Sequence, residues 1–150
     1  MTVATVPASP EGRAVARTLP AQDTIALAGR VLIAVIFVMA GAGKVAQPGA
    51  TIAHMVAAGL PFAPVGLVGA VAIELGAGIA LILGYRTRVA AAILALFSLV
   101  TALIFHSAFA DQNQFINFFK NVAMAGGLLQ VVAFGGGRLS LDARSSRRVK

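Results

Sequence analysis

Four runs of about twenty mostly apolar residues divide this chain, and very few folds accept that pattern. They fall at about residues 24–45, 64–83, 89–110 and 116–134. At ~1.5 Å per residue, each is long enough to cross ~30 Å of hydrocarbon as a helix. Composition gives the same reading. With 59% of its 150 residues hydrophobic, 11% charged and a mean hydropathy of +0.90, the chain has too little charge to cover a soluble domain. The expected fold class is all-α: an integral membrane four-helix bundle lying in the lipid bilayer.

Around the expected transmembrane domain, residues 24–135, lie two polar ends. Residues 1–23, "MTVATVPASPEGRAVARTLPAQD", are rich in Pro, Ala, Ser and Thr without helical periodicity, and are expected to be a disordered cytoplasmic leader. Asp23 stands ready to cap the first span. Residues 136–150 form a basic tail with Arg138, Arg144, Arg147, Arg148 and Lys150. Arginines crowded at a membrane exit read as a topology signal or an anionic-lipid contact, so nucleic acid is not an expected partner. The small residues of "MAGAG" resemble a signal-peptide cleavage site, but the long apolar core and the three spans after it favour a retained helix.

Loop charge sets the expected orientation. Arg13 and Arg17 precede the first span, Arg86 and Arg88 sit in the turn "GYRTR", and the tail is basic. The positive-inside rule places both termini in the cytoplasm, and an even number of spans agrees. Between the first two spans, Pro48 opens a run with Ile52, Met55 and Val56 at helical spacing, and "GLP" closes it at Gly59 to Pro61. That run is expected to be a short amphipathic helix at the outer interface, carrying His54 on its wetted surface.

Ionisable residues inside spans point to sites. Arg30 lies close enough to the cytoplasmic side to reach back to the headgroups as an anchor. Glu74 sits mid-helix, flanked by Ala70, Ala77 and Gly78, where small neighbours admit another helix. It either fixes packing as half of an ion pair or serves as a proton carrier. Helix direction brings Lys44, His106 and Lys120 to one outer layer above Glu74. Asn117, Lys120 and Asn121 share a helix face at i, i+3, i+4 spacing. The candidate intramembrane site is therefore Lys44, Glu74, His106, Asn117, Lys120 and Asn121. Such donors above a carboxylate suit a polar carbonyl headgroup, and quinone is the cofactor they bring to mind; lipid phosphates would suit the lysines equally. No cysteine is present, which removes disulfides, thiolate metal sites and dithiol redox chemistry from this chain. No metal site is expected.

The chain resembles the DoxX family of small four-helix bacterial membrane proteins from about residue 29 to residue 143. The resemblance rests on "GRVLIAVIFVMAGAGKV", with glycine and lysine at Gly41 and Lys44, then "GLP" and the glutamate of "AIELGAGIALILGYRTR". It continues through "IFH", "NFFKNVAMAGG" and "GGGRLSLDAR". It implies a component of a quinone-linked oxidoreductase, such as a thiosulfate–quinone system, or an accessory of redox-stress enzymes with a membrane-associated redox partner protein. Without cysteine to hold sulfur covalently, a self-contained thiosulfate oxidase is disfavoured. A non-catalytic scaffold or envelope-integrity protein is the alternative. A small-solute carrier has only Glu74 in its favour, since no inverted repeat or broken helix is evident.

Overall fold

A computed structural model describes residues 20–148. The order is α1 (Pro20–Ala46), α2 (Pro48–Ala57), α3 (Ala63–Leu83), α4 (Thr87–Phe105), α5 (Gln112–Phe134) and α6 (Leu141–Arg148). α1, α3, α4 and α5 are each long and apolar enough to cross a membrane. α1 packs on α3, α3 on α4, α4 most extensively on α5, and α5 closes back on α1. One end of the bundle carries Lys44 and the other carries Arg30.

Small residues set the spacing of this core. Ala34, Ala90, Ala91, Ala95 and Ala125 are buried with Phe37, Leu81, Leu94 and Leu128. Between helices in lipid, attraction comes mainly from close packing, so alanine and glycine at the contacts bring backbones together. α1 meets α3 through Gly41 and Gly78. A Cβ on Gly41 would lie 2.9 Å from the Leu75 side chain, and one on Gly78 would lie 3.0 Å from Val38. Gly127 does the same for α5, with Ile33 of α1 2.9 Å from its would-be Cβ, whereas neighbouring Gly126 faces open space. Large apolar side chains such as Leu32, Val65 and Leu96 are exposed around the outside, as a hydrocarbon solvent permits.

α2 is the short helix expected between the first two spans. Met55 buries against Ala63, Leu67 and Ala70 of α3, which draws α2 over the Lys44 end. Its Val56 is exposed.

Several boundaries differ from the sequence expectation. α1 starts at Pro20, whose missing N–H suits a first turn. Asp23 therefore lies inside that turn instead of capping it, and its Oδ1 accepts from the Arg138 N–H at 3.0 Å. Of the expected leader, residues 1–19 lie outside the described residues. The third span stops at Phe105, five residues short of the expected end, although "HSAFA" is still fairly apolar. Asp111 decides this boundary. Its carboxylate accepts from the amides of Asn113 and Gln114 at 2.8 and 3.0 Å, so α5 begins at Gln112.

Arg30 corrects a further expectation, and the residues after α5 have a fold of their own. Arg30 does not reach back to headgroups; it is 2% exposed, and it donates to the carbonyls of Gly136, Ile82 and Leu139. The helix ends leave those carbonyls without intrahelical partners, and a guanidinium fork serves several at once. Nor do the first tail residues simply trail away. They fold under the bundle, Ser140 lies beneath the left-handed Gly84 (φ +70°), and α6 follows. Asp142 then caps α4: Oδ1 accepts from the Arg86 amide and Oδ2 from the Thr87 amide and hydroxyl, at 2.7–2.8 Å. Lys150 lies outside the described residues.

Candidate functional site

The last turn of α1 presents Lys44 toward the middle of α3. There, residues Ala72–Ala77 form a single π turn that carries Glu74. Such a turn holds one more residue than an α turn and turns its side chains to a new angle, often at functional positions. Gly41 lies three residues before Lys44 and offers no Cβ where Glu74 and Leu75 press close. Glycine removes the obstacle and lysine supplies the charge, so the Gly41–Lys44 spacing acts as one device. Lys44 Nζ donates to Glu74 Oε1 at 2.7 Å. The other carboxylate oxygen, Oε2, is buried and has no hydrogen-bond partner among the described residues.

This pair forms part of the wall of an open cavity of about 440 Å³ lined by α1, α2, α3 and α4. Thr51, His54, Thr101 and His106 supply its other polar groups, while Met55, Ile73, Phe97 and Phe105 give it an apolar body. His54 stacks on Phe105, with ring centroids 5.4 Å apart and planes 18° apart. That stack spans from α2 to the end of α4 and makes a flat aromatic wall. His106 follows the end of α4, and its Nδ1 is 2.9 Å from Gln114 Oε1. A mostly apolar chamber with a few converging polar groups is the usual form of a small-molecule site.

The six residues singled out from sequence divide into two groups. Lys44, Glu74 and His106 share the cavity wall. Asn117, Lys120 and Asn121 do not line it. They lie on α5, which buries Ala125 and Leu128 against the bundle and leaves Lys120 exposed. Asn121 donates back to the Asn117 carbonyl at 2.9 Å, a bond within one helix. His54, expected on the wetted surface of α2, is exposed there and also lines the cavity. Its place beside Met55, the buried anchor of α2, was the available signal.

The DoxX family model matches residues 25–107, which include α2, the Lys44–Glu74 pair and His106. The chain is 36% identical over 121 residues to "Inner membrane protein YqjF" of Escherichia coli (strain K12), covering 81% of this chain and 92% of that protein. It is 33% identical over 129 residues to "Inner membrane protein YphA" of the same organism, covering 83% and 92%. No solved structure matches it significantly. With four membrane-length helices and matches of this extent, the chain is a multi-pass membrane protein that belongs to the DoxX family.

Proposed function

We propose that this protein is a quinone-linked component of an inner-membrane redox system, with both termini in the cytoplasm, and that its cavity receives the quinone head. One observation carries the reading: a lysine–carboxylate pair between two membrane-length helices, with one carboxylate oxygen unpartnered among the described residues, sits in the wall of a mostly apolar cavity. A quinone asks for such a site. Its ring needs flat apolar surface, which the His54–Phe105 stack and Phe97 offer. Its carbonyl oxygen needs a donor, for which Lys44 is placed, and the hydroxyl of the reduced form needs an acceptor such as Glu74 Oε2. The quinone supplies the electron-carrying chemistry. The residues here hold the head and position the proton-bearing groups, while electrons come from a membrane-associated redox partner. The inner-membrane location draws on the names of the two Escherichia coli proteins above.

The test is direct binding. Purified chain in detergent is titrated with a short-chain ubiquinone or menaquinone analogue. Lys44→Met and Glu74→Gln are expected to weaken binding by about tenfold each, the worth of one hydrogen bond to a charged group. Lys120→Met, outside the cavity, leaves it unchanged. If no quinone binds the wild type, or Lys120→Met matters as much as Lys44→Met, the reading is wrong and the scaffold alternative takes its place.

A further inference from the structure

At the opposite end of the bundle, a groove of about 450 Å³ opens between the α3–α4 turn and the loop after α5. Arg86 and Arg88 line one side, and Gly135, Gly136 and Gly137 line the other. Several of its acceptors are already engaged. The Gly136 carbonyl takes a hydrogen bond from buried Arg30, the Gly137 carbonyl takes one from Ser140 Oγ, and Asp142 accepts from Arg86 and Thr87. Its strongest donors are not. Neither the Arg86 nor the Arg88 guanidinium has an ion-pair or hydrogen-bond partner among the described residues. A concave site with occupied acceptors and two unpaired forked donors favours an anion, and arginine favours one that accepts two parallel bonds.

The loop brings its backbone close to these donors. Gly135 (φ +80°) lies so near Arg88 that a Cβ there would be 3.4 Å from Nε. A larger residue would be strained by its backbone angle and would crowd the arginine.

Below the arginines the surface turns apolar. Val89 lines the groove, and Val89, Ile93, Leu96 and Val100 follow at i, i+4, i+7 and i+11 on one exposed face of α4. Tyr85 and Phe134 flank the groove in sequence and are both exposed, as aromatic side chains at a membrane interface commonly are. A charged head site therefore stands directly above a hydrocarbon track.

From this we infer that the Arg86–Arg88 groove binds a phosphate ester group at the membrane surface, best supplied by an anionic phospholipid whose acyl chain lies along the Val89–Val100 face. The inference is independent of the quinone reading, because its charged groove lies at the other end of the bundle and shares no lining residue with the cavity; of the acyl track, only Val100 at its far end also lines the cavity.

Spin-labelled lipids report the selectivity of the reconstituted full-length chain for phosphatidylglycerol over phosphatidylcholine in phosphatidylcholine vesicles. The wild type is expected to select phosphatidylglycerol, with each arginine worth roughly five-fold. Arg88→Gln then loses about five-fold and the Arg86→Gln/Arg88→Gln double variant about twenty-five-fold. Arg88→Lys, which keeps the charge but not the fork, falls between wild type and Arg88→Gln. Arg144→Gln is exposed at the same end but outside the groove, and it keeps wild-type selectivity. Inorganic phosphate in millimolar excess distinguishes the sources of the phosphate group. Little displacement supports the lipid, whereas full displacement with phosphatidylcholine bound equally well refutes the lipid assignment. Equal selectivity in wild type and double variant, or equal loss in Arg144→Gln, overturns the site and leaves only diffuse surface charge.

Discussion

Lys44 and Glu74 are buried to different degrees, and a double-mutant cycle should expose the difference. The Glu74 side chain is 5% exposed and the Lys44 side chain 24%. Lys44→Met strands a carboxylate that has lost its donor at Oε1 and has no partner at Oε2 among the described residues. Leaving one member of a buried pair costs about 3–5 kcal/mol. Glu74→Gln keeps an amide available to accept, and the partly exposed ammonium can recover water, so the loss should be about 1.5 kcal/mol. The double variant removes both charges and should cost about 2 kcal/mol, less than Lys44→Met alone. The single losses then exceed the double loss by about 3 kcal/mol, a coupling expected only of groups in direct contact. The readout is denaturant unfolding in mixed micelles, followed by a dye pair on Ala57→Cys and Ser107→Cys, since the chain has no cysteine of its own. Both positions are exposed and line one groove between α2 and the end of α4. Should Lys44→Met cost no more than Glu74→Gln, the carboxylate has another source of solvation and the argument from its burial fails.

Three further outcomes follow from the packing and the charges. Gly41→Ala should cost about 1–2 kcal/mol by overpacking against Leu75 and Glu74, while Gly126→Ala, facing open space, should be neutral or slightly stabilising in the same unfolding measurement. Burial works against the charge of Asp142, but the Thr87 hydroxyl, the amides of Thr87 and Arg86 and the Arg30 guanidinium outweigh it, holding the carboxyl below its usual range. A lowered folded value means that this stabilisation is present above the unfolded value of about 3.9 and is lost as pH falls through the folded one. Asp142→Asn should thus be less stable than wild type at neutral pH, with the gap closing in acid; a gap that does not change with pH would refute the assignment. Finally, a membrane-impermeant maleimide applied from the periplasmic side of spheroplasts should label Ser107→Cys and spare Arg144→Cys; the reverse pattern would invert the proposed topology.

The number of spans, the short helix after the first and the stop at Gly59 were all legible in sequence, because lipid demands long apolar runs and glycine ends helices in known ways. Span ends were less legible. Hydropathy continues past Phe105, and only the cap at Asp111 shows that the chain has already left its helix. The π turn at Ala72–Ala77 gave no sign of its own, since Glu74 marks a polar position and not a change of helix type. Nor did the fold-back after α5, which depends on Arg30 meeting carbonyls more than one hundred positions away.

The candidate site shows where this reading reaches its limit. Sequence order and helix direction give the depth of a polar group, and depth grouped Lys44, His106 and Lys120 together. Depth does not say which way each helix faces. On α3 the small residues beside Glu74 did indicate the azimuth, because Gly78 marks the face where α1 packs, and Lys44 arrives from that helix. On α5 the same logic fails for Lys120. Gly127 is the residue pressed against Ile33 of α1, and Lys120 lies seven positions earlier, nearly two full turns at 3.6 residues per turn. That spacing would place both on one side of an ideal helix, yet Lys120 is exposed while Gly127 is partly covered. Helices crossing at an angle explain the difference: they touch where small residues allow it and splay beyond. A lysine two turns from the crossing is then free to follow its long stem out of the bundle, whereas a short carboxylate beside the crossing is not. Burial at the contact, more than depth in the membrane, determines which charged residue joins the site.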